Sequence, residues 1–524
     1  MSSEMTATCT IPGVRESELA RLAEDIAFSA RPGDLIALRG ELGAGKTTLA
    51  RAIIRAFGCD QREEIPSPTF TLVQTYATRR MPVAHFDLYR LNTPSEIDEL
   101  GLDLALKQGV ALIEWPERAA AALPASRLEI LLEEENGRTG PADGAARRIS
   151  LSGQGDWASR LPRLAAMRKL LAPSGMESET CALTYLQGDA SVRRYARLKC
   201  NGAGGAILMD WARQPDGPPI RHGLPYSRIA HLAEDVRPFV AVAAVLRALG
   251  LSVPQIYSQD LDQGFLLIED LGDRVFGREV EMGAADQAEL WRAATEALAT
   301  LYGVVPPEVL PVGDGSVHRL PNYDHGALSI EAELLLDWYL PALHGSPVPD
   351  DARAEFLLLW GAVFDRLGAM TAGWVLRDYH SPNLLWLPER QGIARVGVID
   401  FQDAMRGPPA YDLVSLLQDA RVDVAPELEA ALFAHYCAAV TARQTGFDRD
   451  AFAFAYAALG AQRNTKILGI FARLAKRDGK PAYLRHVPRM WRYLERDLAH
   501  PDLAALKQWY DRQLPVEARG RALA

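Results

Sequence analysis

Eight residues, Gly40-Glu41-Leu42-Gly43-Ala44-Gly45-Lys46-Thr47, lie between the apolar stretch DLIALRG and the run KTTLARAIIRAFG. No other feature restricts the fold as strongly. A G-x-x-x-x-G-K-[ST] pattern works only as a turn between a strand and a helix. Its glycines let successive backbone N–H groups curl around a phosphate, and the helix N-terminus adds its positive dipole. DLIALRG reads as a buried strand, and KTTLARAIIRAFG as an amphipathic helix that Gly58 stops. Lys46 is placed to bridge the β- and γ-phosphates of ATP, the Thr47 hydroxyl to hold Mg²⁺, and Thr48 continues the phosphate-facing first turn.

Such a site also needs a carboxylate at a strand end. The apolar strands MPVAHFDLYRL and GVALIEWPER offer Asp87 and Glu114, separated by the helical stretch PSEIDELGLDLALKQ. RLEILLEEE and ARRISLSG read as a hairpin closing the domain. Strands alternating with helices predict an α/β P-loop NTPase domain with a mostly parallel sheet.

At 524 residues the chain exceeds one ordinary core and predicts two to four domains. DWASRLPRLAAMRKLL reads as a helix, and APSGMESET, with its Pro, Gly and Ser, as a linker. Met176 at its end is compatible with a once-separate second protein. Beyond it a strand-rich segment gives way to helical runs such as EAELLLDWYLPAL and TKILGIFARLAKR. The expected division is a P-loop domain over 1–155, a helix and linker over 156–180, an N-lobe over 181–275 and a helical C-lobe over 276–524. The second block is thus an α+β bilobal domain.

Its chemistry is written in LRDYHSPNLLW, where Asp378 and Asn383 stand five apart, and in VGVIDF, where Asp400 ends an apolar strand. One Asp can take the proton of an attacking hydroxyl while the Asn and the second Asp hold Mg²⁺ on the phosphates of ATP. Upstream, LQGDASVRRYARL puts Gly188, Asp189, Ala190 and Ser191 in a short turn suited to covering phosphates. FLLIEDLGD, with Glu269 and Leu271, suits an interlobe hinge against adenine, or plain core packing.

A net charge of -10 argues against nonspecific affinity for nucleic-acid backbones, though not against nucleic acid presented by a partner. The cysteines Cys9, Cys59, Cys181, Cys200 and Cys437 form no CxxC pair and read as reduced, structural thiols. There is no run of 18 apolar residues and no basic start followed by an apolar core, so a cytoplasmic protein is expected.

GELGAGKTT, SPTFTLVQTY, HFDLYRL and LIEWPER, in this order, resemble the TsaE family, the small bacterial ATPases of tRNA threonylcarbamoyladenosine biosynthesis. The resemblance spans about residues 15 to 155. It implies ATP turnover that resets a complex with two partners, the threonylcarbamoyl-transferase subunit and its paralogous companion. By motif, Thr47 and Glu114 would bind Mg²⁺ and Asp87 would act in hydrolysis. Ser67 and Thr69 would form a switch-like segment, and Trp115 would lie beside the nucleotide.

From about 180 to 500 the chain resembles the aminoglycoside phosphotransferase superfamily. Within it, GDASVRRY, ILMDW, LRDYHSPNLLW, VIDFQDA and QRNTKILGIFARL are similar to the anomeric kinases for N-acetylmuramate and N-acetylglucosamine of cell-wall recycling. This implies Asp378 as general base, Asn383 and Asp400 as Mg²⁺ ligands, and a sugar pocket involving Asp403, Arg463 and Lys466. Arg463 and Lys466, three apart, share a helix face; a solvated basic face is the plain alternative. Two departures stand out. Leu376 occupies a position where many relatives have His, and GAILMDW lacks the phosphate-gripping strand Lys of protein kinases. Arg193 or Arg194 could replace that Lys or be a solvated strand residue. Two alternatives accompany this reading: a pseudokinase binding module, or a kinase for an aminoglycoside or choline-like acceptor. A cationic aminoglycoside would favour Asp and Glu in the pocket, whereas the carboxylate of muramate would favour a basic group.

Overall fold

A computed structural model describes residues 6–91, 93–135, 146–186, 193–201, 205–519 and 523. The chain divides into two compact units, 1–212 with 256–270, and 213–255 with 271–524.

The first unit opens with β1 (Thr6–Val14), α1 (Leu19–Ser29), β2 (Leu35–Arg39) and α2 (Lys46–Ala56). There follow β3 (Val73–Tyr76), β4 (Val83–Asp87), α3 (Glu96–Glu99), α4 (Leu102–Gln108) and β5 (Val110–Glu114). β6 (Arg127–Glu134), β7 (Arg147–Gln154) and α5 (Asp156–Leu171) complete this part. The seven strands form one sheet in the order β1-β7-β6-β2-β5-β4-β3. β4 and β5 are buried along their whole length because strands covered on both faces have no solvent side.

The sheet is mixed rather than mostly parallel. β2–β5, β2–β6 and β4–β5 are parallel, whereas β1–β7, β6–β7 and β3–β4 are antiparallel. The connection between β3 and β4 holds no crossover helix, and a short connection can join only antiparallel neighbours. The central parallel strands still bring the ends of β2, β4 and β5 together, with Asp87 and Glu114 in register.

The same unit holds a five-stranded antiparallel sheet in the order Ile256–Asp260, Phe265–Glu269, Ala206–Asp210, Arg194–Cys200, Cys181–Leu186. Phe28 of α1 and Met167, Leu170 and Leu171 of α5 share a buried cluster with Leu183, Ala196, Leu198, Ala206, Leu208, Phe265 and Leu267. APSGMESET is therefore not a loose tether. It turns at Ala172–Ser174 and is pinned where the Arg21 side chain donates to the Met176 carbonyl. Polar ties flank the apolar contact. Arg160 forks onto Asp34 at 2.7 and 2.5 Å, and Arg163 and Arg194 both donate to Asp210. The expectation of five reduced cysteines is corrected here. Cys181 and Cys200 stand directly opposite on adjacent strands, Cα atoms 4.0 Å apart, and form a disulfide. Antiparallel pairing, invisible in their spacing of 19, brings them together.

The second unit is mainly helical. Its longest helix, Arg449–Asp478, packs so closely on the segment around Leu334 that a Cβ on Gly469 would come within 2.3 Å of the Leu334 carbonyl carbon. EAELLLDWYLPAL is helical throughout but contains a wide π-turn at Leu335–Tyr339. Two short strand pairs, Gly373–Val375 with Met405–Gly407 and Leu384–Trp386 with Val396–Val398, frame the segment carrying Asp378, Asn383 and Asp400. Among the described residues no helix is long and apolar enough to cross a membrane.

Candidate active sites

The loop from Gly40 to Thr47 joins β2 to α2. Gly40, Gly43 and Gly45 have φ of 143°, 86° and 102°, which a Cβ disfavours, and a Cβ on Gly40 would lie 2.6 Å from the Leu132 carbonyl oxygen. The loop is braced by Arg147, whose Nε donates to the Ala44 carbonyl at 2.9 Å. Lys46 Nζ donates to the carbonyls of Gly40 and Glu41, both at 2.8 Å, and sits 3.6 Å from the centre of the Trp115 ring. Burial lowers its pKa against the opposing pull of Glu114, Glu117, Asp87 and Glu41.

Behind Lys46 runs a chain of hydrogen bonds. Thr47 Oγ1 donates to Glu114 Oε2 at 2.9 Å, and the other oxygen of Glu114 meets Nε2 of the fully buried His85 at 2.9 Å. Asp87 Oδ2 accepts from Ser67 Oγ at 2.6 Å and Thr69 Oγ1 at 2.8 Å, while Oδ1 accepts the Tyr89 N–H at 3.1 Å. The structure thus unites Lys46, Thr47, Glu114, Trp115 and Asp87 with the switch-like segment. A hydroxyl and a carboxylate oxygen side by side are suitable donors for Mg²⁺. Sequence reasoning passed over His85, although it lies two residues before Asp87 on one strand and so shares its face.

In the second unit the turn Leu376–Asn383 is held from below by carboxylates. Asp412 accepts the N–H groups of Leu376 at 2.6 Å and Arg377 at 2.9 Å, and Asp419 accepts that of Ser381 at 2.7 Å. Arg377 and Asp400 adopt φ of 72° and 63°, strained for residues with a Cβ. Asn383 Nδ2 donates to the Asp378 carbonyl at 3.0 Å and reaches Asp400 Oδ2 at 3.4 Å, and Gln402 Nε2 donates to Asp400 Oδ1 at 3.0 Å. The Asn383 amide and the Asp400 carboxylate are within hydrogen-bond reach of each other, and both residue types offer oxygens suited to Mg²⁺. His380 Nε2 lies 3.8 Å from Asp378 Oδ1. Desolvation opposes charge on Asp378, but His380, Lys466 and Arg377 prevail and hold its pKa below the usual carboxylate range. It is a carboxylate at neutral pH, able to accept a hydrogen bond from a hydroxyl.

The remaining expected residues are distributed as follows. Asp403 Oδ1 accepts the Ala233 N–H at 2.6 Å. Lys466 Nζ is bound by the buried Glu331 at 2.8 Å, and Arg463 Nη1 donates to the Gln418 carbonyl at 3.2 Å. Neither is a solvated basic face: Arg463 is buried, and the Lys466 side chain is 12% exposed. Glu269 ends a strand opposite Ala206, and Leu271 packs on Leu385 and Leu387. Gly188, Asp189, Ala190 and Ser191 lie outside the described residues. Arg194 departs from the phosphate-gripping expectation: its guanidinium is engaged by Asp210 and by the Phe28 carbonyl of α1. Arg193 points to the other face of the strand, its guanidinium 4.9 Å from the Trp211 ring centre. Glu331, Asp412 and Asp419 went unread in the sequence because each acts on residues tens of positions away.

Comparison with known proteins matches two separate stretches of the chain. Residues 14–140 match the family described as threonylcarbamoyl adenosine biosynthesis protein TsaE, and residues 182–454 match the phosphotransferase enzyme family. An N-acetylmuramate/N-acetylglucosamine kinase of Caulobacter vibrioides is 43% identical over 343 residues, covering 64% of this chain and 92% of the relative. One of the same description from Pseudomonas aeruginosa is 37% identical, covering 61% of this chain and 84% of the relative. A tRNA threonylcarbamoyladenosine biosynthesis protein TsaE of Rickettsia felis is 46% identical over 125 residues, covering 24% of this chain and 72% of the relative.

Proposed function

The chain belongs to the TsaE family through residues 14–140 and to the phosphotransferase enzyme family through residues 182–454, and from that premise we propose two enzymes in one polypeptide. The first hydrolyses ATP in support of tRNA threonylcarbamoyladenosine formation. It acts with a threonylcarbamoyl-transferase subunit and that subunit's paralogous companion, which present the tRNA. The second transfers the γ-phosphate of ATP to the anomeric hydroxyl of N-acetylmuramate or N-acetylglucosamine in cell-wall recycling. Both work in the cytoplasm.

In the first site Thr47 and Glu114 would hold Mg²⁺, with Gly40 to Thr48 around the phosphates and Trp115 beside the nucleotide. Mg²⁺ supplies charge neutralisation on the phosphates. Lys46 exchanges its bonds to the Gly40 and Glu41 carbonyls for phosphate oxygens. Asp87 positions the attacking water, and Ser67 and Thr69, bonded to it, link that event to the switch segment.

In the second site Asn383 and Asp400 would hold Mg²⁺, with Leu271 near the nucleotide. Asp378 takes the proton of the anomeric hydroxyl as that oxygen bonds to the γ-phosphorus; the bond from phosphorus to the β-phosphate oxygen breaks and ADP leaves. Asp403, Arg463 and Lys466 would shape the sugar pocket around Glu331.

One observation supports the kinase reading: Asn383, at the end of the turn strained at Arg377, donates to the Asp378 backbone carbonyl and reaches the Asp400 carboxylate. The test is ATP consumption by the full chain, with and without amino sugars. Lys46→Ala should remove sugar-independent hydrolysis and leave sugar-dependent consumption intact. Asp378→Asn should do the reverse, with a loss of about 100-fold or more. If either variant removes both activities while folded, the two-enzyme reading is wrong.

A further inference from the structure

The two cations expected to greet an acidic sugar are already occupied, Lys466 by Glu331 and Arg463 by the Gln418 carbonyl. Further along the helix Arg449–Asp478 is one that is not. Arg473 follows Lys466 by seven residues, so it lies on the same face about 10 Å along the axis. Its Nε is buried and has no hydrogen-bond partner, and it makes no ion pair with a carboxylate among the described residues. Its guanidinium carbon stands 5.8 Å from the centre of the Tyr226 ring.

Tyr226 connects it to the chemistry. Burial raises the phenol's pKa, Glu331 adds to the rise, and Lys466, Arg377 and Arg473 oppose it. Lys466 and Arg377 in turn act on Asp378. Arg377, next in sequence to Asp378, and Lys466 both bond Glu331, so the helix face that runs from Lys466 to Arg473 and Tyr226 starts beside the Asp378 turn. Burial lowers the Arg473 pKa, Arg477 adds to the drop, and Tyr226 and Asp478 oppose it without preventing it. Arginine offers a planar fork of donors that matches a carboxylate in two parallel hydrogen bonds. N-acetylmuramate carries a carboxylate on its lactyl ether; N-acetylglucosamine has a free hydroxyl there.

We propose that Arg473 is a specificity-determining residue that receives the lactyl carboxylate of N-acetylmuramate while Asp378 engages the anomeric hydroxyl. The inference rests on the amino-sugar kinase reading above. It gives the enzyme one catalytic end shared by both sugars and one recognition end used only by the acid.

The test is steady-state kinetics of the full chain on both sugars, wild type against Arg473→Met and Arg473→Lys. Methionine keeps the apolar stem and removes the fork. For N-acetylmuramate, Arg473→Met should lower kcat/KM by about 10- to 100-fold, mostly through KM, because a charge-assisted hydrogen bond is lost. For N-acetylglucosamine it should change kcat/KM by less than about threefold, and Arg473→Lys should recover part of the muramate loss. Equal losses on both sugars would show a structural role, and no loss on either would place Arg473 outside the site; each overturns the inference. A wild type inactive on both sugars overturns the kinase reading and this inference together, a pattern distinct from an active wild type with unselective variants.

Discussion

Replacing Glu331 with glutamine would put the support of the Arg377–Asp378 turn to a quantitative test. The carboxylate is fully buried and bonds the side chains of Arg377, Lys466, Tyr323 and Gln462. Burial opposes its charge, yet Lys466 and Arg377 bring its pKa from 4.5 down to about 2. At about 1.4 kcal/mol per pH unit, that difference corresponds to about 3 kcal/mol of folding stability at neutral pH. Because the folded pKa lies below the unfolded one, this contribution is fully present above about pH 4.5 and is lost as pH falls towards 2. Glu331→Gln keeps the shape but leaves Arg377 and Lys466 buried without a counter-charge, a loss of about 3–5 kcal/mol for broken buried pairs. The two routes agree. Urea denaturation of the full chain, followed by the ellipticity of the helical unit, should show a deficit of about 3 kcal/mol at pH 7. The gap from wild type should narrow below pH 4.5. A deficit under about 1 kcal/mol at pH 7, or one of constant size down to pH 3, would refute the reasoning.

Three further outcomes are expected. His85→Ala should raise the Mg²⁺ concentration needed for half-maximal ATP hydrolysis by about 10- to 100-fold, since it frees Glu114 from its 2.9 Å partner; a metal titration of ATPase activity reads this. Asp210→Ala strands Arg163 and Arg194 between the two sheets of the first unit and should cost about 3–5 kcal/mol by denaturant titration. Gly469→Ala forces a methyl group to within 2.3 Å of the Leu334 backbone and should cost about 1–3 kcal/mol, visible as a lowered thermal midpoint.

Features legible in the sequence were those whose chemistry is contiguous. The Gly40–Thr47 loop between β2 and α2 and the turn from Asp378 to Asn383 carry their geometry in local spacing, whereas the strand expected to end at Asp400 stops at Val398. What escaped depends on neighbours that only the fold supplies. His85 gains meaning when β4 lies beside β5 and Glu114 comes within reach. Asp412 shapes the turn that carries Asp378 from 35 residues away. Arg194 looked available for phosphate until Phe28 and Asp210 closed on it, and the same packing turned an apparent linker into part of a shared core. Arg463 and Lys466 share a helix face, but helical periodicity says nothing of Glu331, which claims the second of them.

The most direct test of the central claim is phosphorus NMR on the full chain carrying Lys46→Ala, given ATP and N-acetylmuramate. The account predicts a phosphoester whose phosphorus couples to the anomeric proton, absent when Asp378→Asn is added. A folded, ATP-binding protein that yields no phosphoester, or one on any other sugar oxygen, would contradict it.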